Sequence, residues 1–293
     1  MINKLQSSEE QINHIIDLAL AEDISHGDIT SATLIPAELE GKASILIKAT
    51  GVLAGGDVAK KVFLEVDESL KVEVLIKDGT KVKSGDNAVA ITGRVISILK
   101  AERVVLNFLS KLSGIASETA RYITETQGLN VRITDTRKTT PALRPLEKYA
   151  VSMGGGQNHR FHLGDGILIK DNHLVALRAL GMNLRDIVAK AKQNAPQSLK
   201  VEVEVNTAEE VRDAVEAGAD IIMLDNMSPD EMRHAARLIP SRVKIEASGG
   251  ITLANVRVAA ETGVNLISIG ALTHSSKALD ISLDLEPQNL IIP

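Results

Sequence analysis

From Asn130 onward the chain keeps one rhythm, a short apolar strand, a polar loop and an amphipathic helix, and this constrains its fold more than anything else. The expected strands are VRIT (131–134), GILIK (166–170), VEVEV (201–205), DIIMLD (220–225), VKIEA (243–247) and LISIG (266–270). Helical spacing falls between them at 174–194, 208–217, 229–238 and 253–262, with Ser228-Pro229 and Thr252 as start signals. Alternation of this kind predicts an α/β fold with a parallel sheet, either a closed barrel or an open doubly wound sheet. The strand ends favour the barrel. Asp135 to Lys138, Lys170, Asp225-Asn226, Ser248-Gly249-Gly250 and Gly270 all sit at the carboxyl end of a strand, where a barrel enzyme keeps its chemistry. An open sheet gathers such residues only near its switch point. Within VEVEV, the two-residue period of a strand turns Glu202 and Glu204 to the same face.

The first part of the chain reads differently. Residues 8–21 fit an amphipathic helix with Ser8 as its N-cap and Ile12, Ile15, Ile16, Leu18 and Ala19 on the apolar side. Residues 41–93 carry strand patterns (ASILIKAT, VEVLIKDGTKV, NAVAITG) around one helix near 57–65, which predicts a small sheet-based domain. A helix over 98–126 then follows, long enough to bridge two domains, with Gly114 expected to mark a bend. Arg103 stands among its apolar residues, where a surface arginine lays its stem along the helix.

Residues 134–173 concentrate Arg137, Lys138, Arg144, Lys148, Arg160 and Lys170 with His159, His162 and His173 in a chain of net charge −5. Its glycines, prolines and sparse apolar residues predict a long basic loop system rather than core. Such a cluster suits a polyanion. Nucleic acid fits poorly, because aromatics are only 2% of the residues and the overall balance is acidic. The absence of cysteine excludes disulfides, thiolate nucleophiles and cysteine metal sites. No secretory signal or membrane-spanning run is evident at the start or elsewhere, so a cytoplasmic location is expected.

Ser248-Gly249-Gly250-Ile251-Thr252, expected to open a helix, offers bare backbone N–H groups and a helix N-terminus to an anion. With Gly270-Ala271 on the next strand it matches the phosphate corner of barrel enzymes. GGGQNHRF is no Walker loop, and HRFH lacks the further ligands of a zinc site. Glu204 and Asp225 are hard oxygen ligands suited to Mg²⁺ beside a substrate phosphate. Together these features suit a transfer that involves pyrophosphate and an acidic second substrate.

TDTRKTTPALRPLEKYAV, GGGQNHRFHLGDGILIKDNH, VEVEV, MLDN, EASGGIT and IGALTHS, in this order and spacing, resemble the quinolinate phosphoribosyltransferases of NAD biosynthesis. ALAEDISHGDITSATLIP and AERVVLNFLSKLSGIA extend the resemblance over nearly the whole chain. It implies an N-terminal α/β sandwich (1–110, joined by a tail at 275–293) and an incomplete, TIM-like parallel α/β barrel (111–274). It further implies that quinolinate and phosphoribosyl pyrophosphate react, with Mg²⁺, in the active sites of a homodimer or higher assembly. In those terms Arg103 comes from the neighbouring subunit, and Arg137, Lys138, His159, Arg160 and Lys170 form the positive pocket. Glu204 and Asp225 form the acidic pair near ribose and Mg²⁺. Ser248, Gly249, Gly250, Gly270 and Ala271 bind the 5-phosphate. Lys138, Lys170, Glu204 and Asp225 are the implied catalytic residues.

Overall fold

The structure, a computed structural model, describes residues 2–292. Residues up to 120, 139–155 and from 275 onward form one compact unit; 121–138 and 156–274 form the second.

The first unit begins with helices α1 (Ile2–Ile24) and α2 (Ile29–Leu34) and strand β1 (Glu40–Ile47). There follow β2 (Gly51–Val52), α3 (Gly56–Val66), β3 (Lys71–Val74), β4 (Lys81–Val82), β5 (Asn87–Arg94) and the long helix α4 (Val95–Glu125). Helix α1 starts before Ser8, which is therefore not its N-cap; the Ser8 side chain lies outside the described residues. Asp28, in the expected break, caps α2 by accepting a hydrogen bond from the Ser31 N–H at 3.0 Å.

The C-terminal strand Ile281–Leu285 pairs antiparallel with β1, giving a four-stranded sheet in the order C-terminal strand, β1, β5, β3. Ile45 and Ile47 of β1, Ile91 of β5, and Phe63 of α3 are fully buried. Ile98, Ala101, Val105, Leu109, Leu112 and Ile115 recur every three or four residues along α4 and are almost wholly buried. The helix runs without a break through Gly114. A Cβ there would overlap the Lys277 carbonyl oxygen, so glycine is needed to let the returning tail cross the helix backbone.

The basic stretch 134–173 is not all loop. Residues 144–153 form helix α5 (Arg144–Met153), with Pro145 in its first turn and Leu146, Ala150 and Val151 buried in the first unit. Three apolar residues at helical spacing are enough for a ten-residue helix, which the density of charge concealed.

The second unit holds β6 (Arg132–Thr134), β7 (Ile167–Ile169), β8 (Val201–Val205), β9 (Ile221–Asp225), β10 (Lys244–Ser248) and β11 (Leu266–Ser268). All pair in parallel, in the order β6-β11-β10-β9-β8-β7. Strands β6 and β7 are the ends of the order and do not pair with each other, so this is an incomplete parallel α/β barrel. Helices α6 (Asp171–Arg178), α7 (Leu184–Asn194), α8 (Ala208–Glu216), α9 (Pro229–Leu238) and α10 (Val256–Ala260) connect the strands, and α11 (Ala271–His274) follows the last of them. The single helix expected over 174–194 is two: Gly181 turns with φ +82°, and Asn183 caps α7. Helix α10 starts only at Val256, so Ser248-Gly249-Gly250 does not open a helix and offers no helix N-terminus.

Candidate active site

The carboxyl ends of the second unit's strands surround a cavity of about 480 Å³. Period-two alternation in parallel strands explains why the predicted residues converge, since every carboxyl end lies on the same side of the sheet. Asp135 organises one wall. It is fully buried and accepts hydrogen bonds from the His159 N–H at 2.8 Å and from Asn158 Nδ2 at 2.7 Å. Gln157 bonds to β6 through the Ile133 carbonyl at 2.9 Å, so the segment carrying His159 and Arg160 follows the strand edge.

Arg137, Lys138, Arg160 and Lys170 all line the cavity. The Lys138 backbone is fixed at both ends: its N–H donates to Thr136 Oγ1 at 3.0 Å, and its carbonyl accepts from Thr273 Oγ1 at 2.8 Å. Arg160 Nη1 donates to the Gly166 carbonyl at 3.0 Å. Burial lowers the Arg160 pKa, and the Arg137 charge adds to this, while Glu202 and Glu246 oppose it.

Glu204 on β8 and Asp225 on β9 face the same cavity. Lys170 Nζ lies 3.9 Å from Glu204 Oε2. Partial burial raises the Glu204 carboxyl pKa, and the Asp225 charge raises it further; Lys170 partly offsets both. Two carboxylates that repel across a cavity are suited to hold a divalent cation between them.

Beneath them lies a second acidic pair. Glu202 is 3% exposed and Glu246 is fully buried. His159 Nε2 stands 3.3 Å from Glu202 Oε2 and 3.4 Å from Glu246 Oε2. These three side chains converge closely enough to hold a metal ion. The hydrogen bonding argues against that. His159 Nδ1 accepts the Arg160 N–H at 2.8 Å, so the ring proton belongs on Nε2, which then has no lone pair for a metal. Burial opposes protonation of His159, but the two glutamates outweigh it and push its pKa up to about 10. Because Nδ1 accepts the Arg160 N–H it carries no proton, and the extra proton that the cluster keeps into the alkaline range lies on the glutamate side of Nε2. Burial raises the Glu202 pKa in the same sense.

At the glycine corner, Ser248, Gly249 and Gly250 line the cavity, with φ of +85° and +62° at the two glycines. Gly270 lies outside the lining; a Cβ on it would stand 3.0 Å from Lys138 Cδ, so it seats that lysine. Ala271 begins α11 and is also outside the lining. Arg103 is exposed on the first unit. His173 Nδ1 accepts the Lys170 N–H at 2.9 Å and His162 caps a short turn through Gly164, so both serve the backbone. Arg144 Nε donates to Thr139 Oγ1, and Lys148 is fully buried, both in the first unit. Glu246, Asn226 and Ser268 line the cavity without having been assigned a role from sequence. The signal for Glu246 was present, as the lone acid of VKIEA, two residues after Lys244.

An incomplete α/β barrel that gathers cations, a carboxylate pair and a glycine corner at its strand ends defines an enzyme class that handles phosphorylated, anionic substrates. The chain itself is narrower. A model of the quinolinate phosphoribosyl transferase C-terminal domain matches residues 115–284, and one of the N-terminal domain matches 28–113. A probable nicotinate-nucleotide pyrophosphorylase (carboxylating) of Bacillus subtilis (strain 168) is 44% identical over 279 residues, covering 95% of each chain. A mitochondrial quinolinate phosphoribosyltransferase (decarboxylating) of Nicotiana glauca is 42% identical over 94% of this chain and 83% of its own. The crystal structure of NadC from Streptococcus pyogenes superposes with a TM-score of 0.90 at 42% identity, covering 94% of this chain and 96% of that one. The chain belongs to the quinolinate phosphoribosyltransferase family.

Proposed function

We propose that this protein condenses quinolinate with phosphoribosyl pyrophosphate, releasing pyrophosphate and CO₂ and forming nicotinate mononucleotide for NAD biosynthesis. One observation carries the reading: a single cavity joins Arg137, Lys138, Arg160 and Lys170 to Glu204, Asp225 and the glycine corner, all in a family member. Arg137 and Arg160 present planar donors suited to the carboxylates of quinolinate and orient its ring nitrogen toward ribose C1. Lys138 and Lys170 offset charge on the departing pyrophosphate. Ser248, Gly249 and Gly250 offer backbone N–H groups to the 5-phosphate. Glu204 and Asp225 would hold Mg²⁺, which supplies charge neutralisation at the leaving group when bound. Once ribosylated, the cationic ring nitrogen stabilises the electron pair left on the adjacent ring carbon as CO₂ departs, and that carbon then takes a proton from water to give the product. Both of its nitrogens being engaged, His159 acts here by holding Arg160 and the cavity floor rather than by gripping quinolinate directly.

The reading includes a homodimer or higher assembly in which Arg103 of one subunit completes the site of the next, and the exposure of Arg103 supports this. Quinolinate and phosphoribosyl pyrophosphate are polyanions that cross no membrane unaided, so the reading puts the protein in the compartment that makes them, taken to be the cytoplasm. Among the described residues no helix is long and apolar enough to cross a membrane. The test is an assay of nicotinate mononucleotide from quinolinate, phosphoribosyl pyrophosphate and Mg²⁺. No product, or equal turnover with nicotinate, overturns the reading. Arg103→Ala is expected to raise KM for quinolinate at least about tenfold. Activity should return when Arg103→Ala chains are mixed with Lys138→Ala chains, and a silent mixture refutes sharing.

A further inference from the structure

Two described residues other than glycine adopt a left-handed backbone, Ala142 in the first unit and Asn226 in the second. Asn226, with φ +53°, directly follows Asp225 at the end of β9. Its backbone N–H continues the sheet by donating to the Ser248 carbonyl at 2.9 Å. Its carboxamide Nδ2 donates to Asp225 Oδ2 at 2.7 Å. The other face of that carboxamide lies against Gly249: a Cβ there would overlap Asn226 Oδ1 and Cγ and stand 2.8 Å from Asn226 N. Gly250, by contrast, has open space around its Cα. The two glycines therefore answer different demands. Gly250 meets a backbone requirement, whereas Gly249 also makes room for Asn226.

We propose that Asn226 is a positioning residue that sets the distance between the acidic corner and the glycine corner. One side chain holds the Asp225 carboxylate by a hydrogen bond and abuts the backbone that faces the phosphate. The unusual left-handed conformation is what aims the carboxamide across the strand ends, and asparagine adopts it more readily than any branched residue. The role rests on the phosphoribosyl transfer proposed above. It implies that Asn226 acts on the phosphoribosyl half of the site and leaves the quinolinate half alone.

The test compares the unmodified protein with Asn226→Gly, which tolerates the same backbone but lacks the carboxamide, and Asn226→Asp, which keeps size but loses the donor. Both should raise KM for phosphoribosyl pyrophosphate about tenfold, as expected for loss of a hydrogen bond to a charged group. The Mg²⁺ concentration for half-maximal rate should rise with it, while KM for quinolinate changes less than about twofold. A purely backbone role predicts that Asn226→Gly matches the unmodified protein in all three, and that result overturns the proposal. Equal changes in both substrates' KM also overturn it.

A thermal double-mutant cycle with Gly249→Ala gives a readout independent of activity. Gly249→Ala should lower the melting midpoint more beside Asn226 than beside Asn226→Gly, where the overlapping carboxamide atoms are gone. Additive shifts refute the contact. If the unmodified protein makes no nicotinate mononucleotide, the transfer reading fails, and the cycle still judges the Asn226–Gly249 contact.

Discussion

Glu204 and Asp225 at the rim of the cavity, and Glu202 and Glu246 at its floor, are the same chemistry at two depths. Glu202 and Glu204 stand two residues apart on one strand, so about 6.6 Å of rise separates their levels. That step decides their work. The rim pair is partly exposed, shares its space with lysines, and can take up a cation or a ribose hydroxyl. The floor pair is almost sealed from water and is answered mainly by one imidazole and by nearby arginine charge. Burial makes a carboxylate expensive unless it is paired, so the proposed division is a floor that serves stability and a rim that serves the reaction.

The contrast breaks most visibly at the rim. Glu204→Ala/Asp225→Ala should reduce kcat/KM by about a thousandfold or more and abolish Mg²⁺-dependent turnover. Its melting midpoint should stay within a few degrees of the unmodified protein, as measured by circular dichroism. Retained Mg²⁺ dependence would remove the rim pair from its proposed role. At the floor the order reverses. Glu246→Ala should cost about 3 kcal/mol in urea unfolding, because it strips a buried cluster of one partner. A cost near zero would show that the cluster is no stability element.

Glu246→Gln sharpens the comparison through pH. The buried His159–Glu202–Glu246 cluster binds its extra proton more tightly when folded, the glutamates lifting the histidine's pKa from 6.5 to about 10, so the stability this provides is complete below about pH 6.5. It is lost as pH rises through about 10. The unmodified protein should therefore lose melting midpoint between pH 7 and 10, and Glu246→Gln should flatten that slope. The smallest effect belongs to an acid outside both levels. Arg178 Nη2 and Glu210 Oε1 form a surface pair at 2.8 Å, and Arg178→Ala should cost no more than about 0.5 kcal/mol.

Much of the rim was legible from residue order alone, because parallel strands bring their carboxyl ends together without any knowledge of side-chain packing. Lys138, Lys170, Glu204, Asp225 and Gly249 reach one cavity for that reason. The floor was half legible: the strand period aligned Glu202 with Glu204, but nothing local tied either to Glu246 or to His159. The close approach at Gly114 was hidden for a related reason. Its neighbour, Lys277, is remote in sequence, and a glycine inside a helix pattern carries no mark of what crosses it. The helix at 144–153 was lost to a density of charge that turned out to include a fully buried Lys148 and Glu147. Asn226 was visible as a letter, but its conformation was not.

The pairing of β1 with the strand at 281–285 has a consequence for synthesis. On the ribosome, the residues of the barrel unit, ending at 274, emerge before that strand does. Until then β1, whose Ile45 and Ile47 end fully buried, keeps one edge unpaired and open to wrong partners. That edge stays open until the residues beyond 274 have emerged, so of the two units the one whose chain begins first finishes folding last.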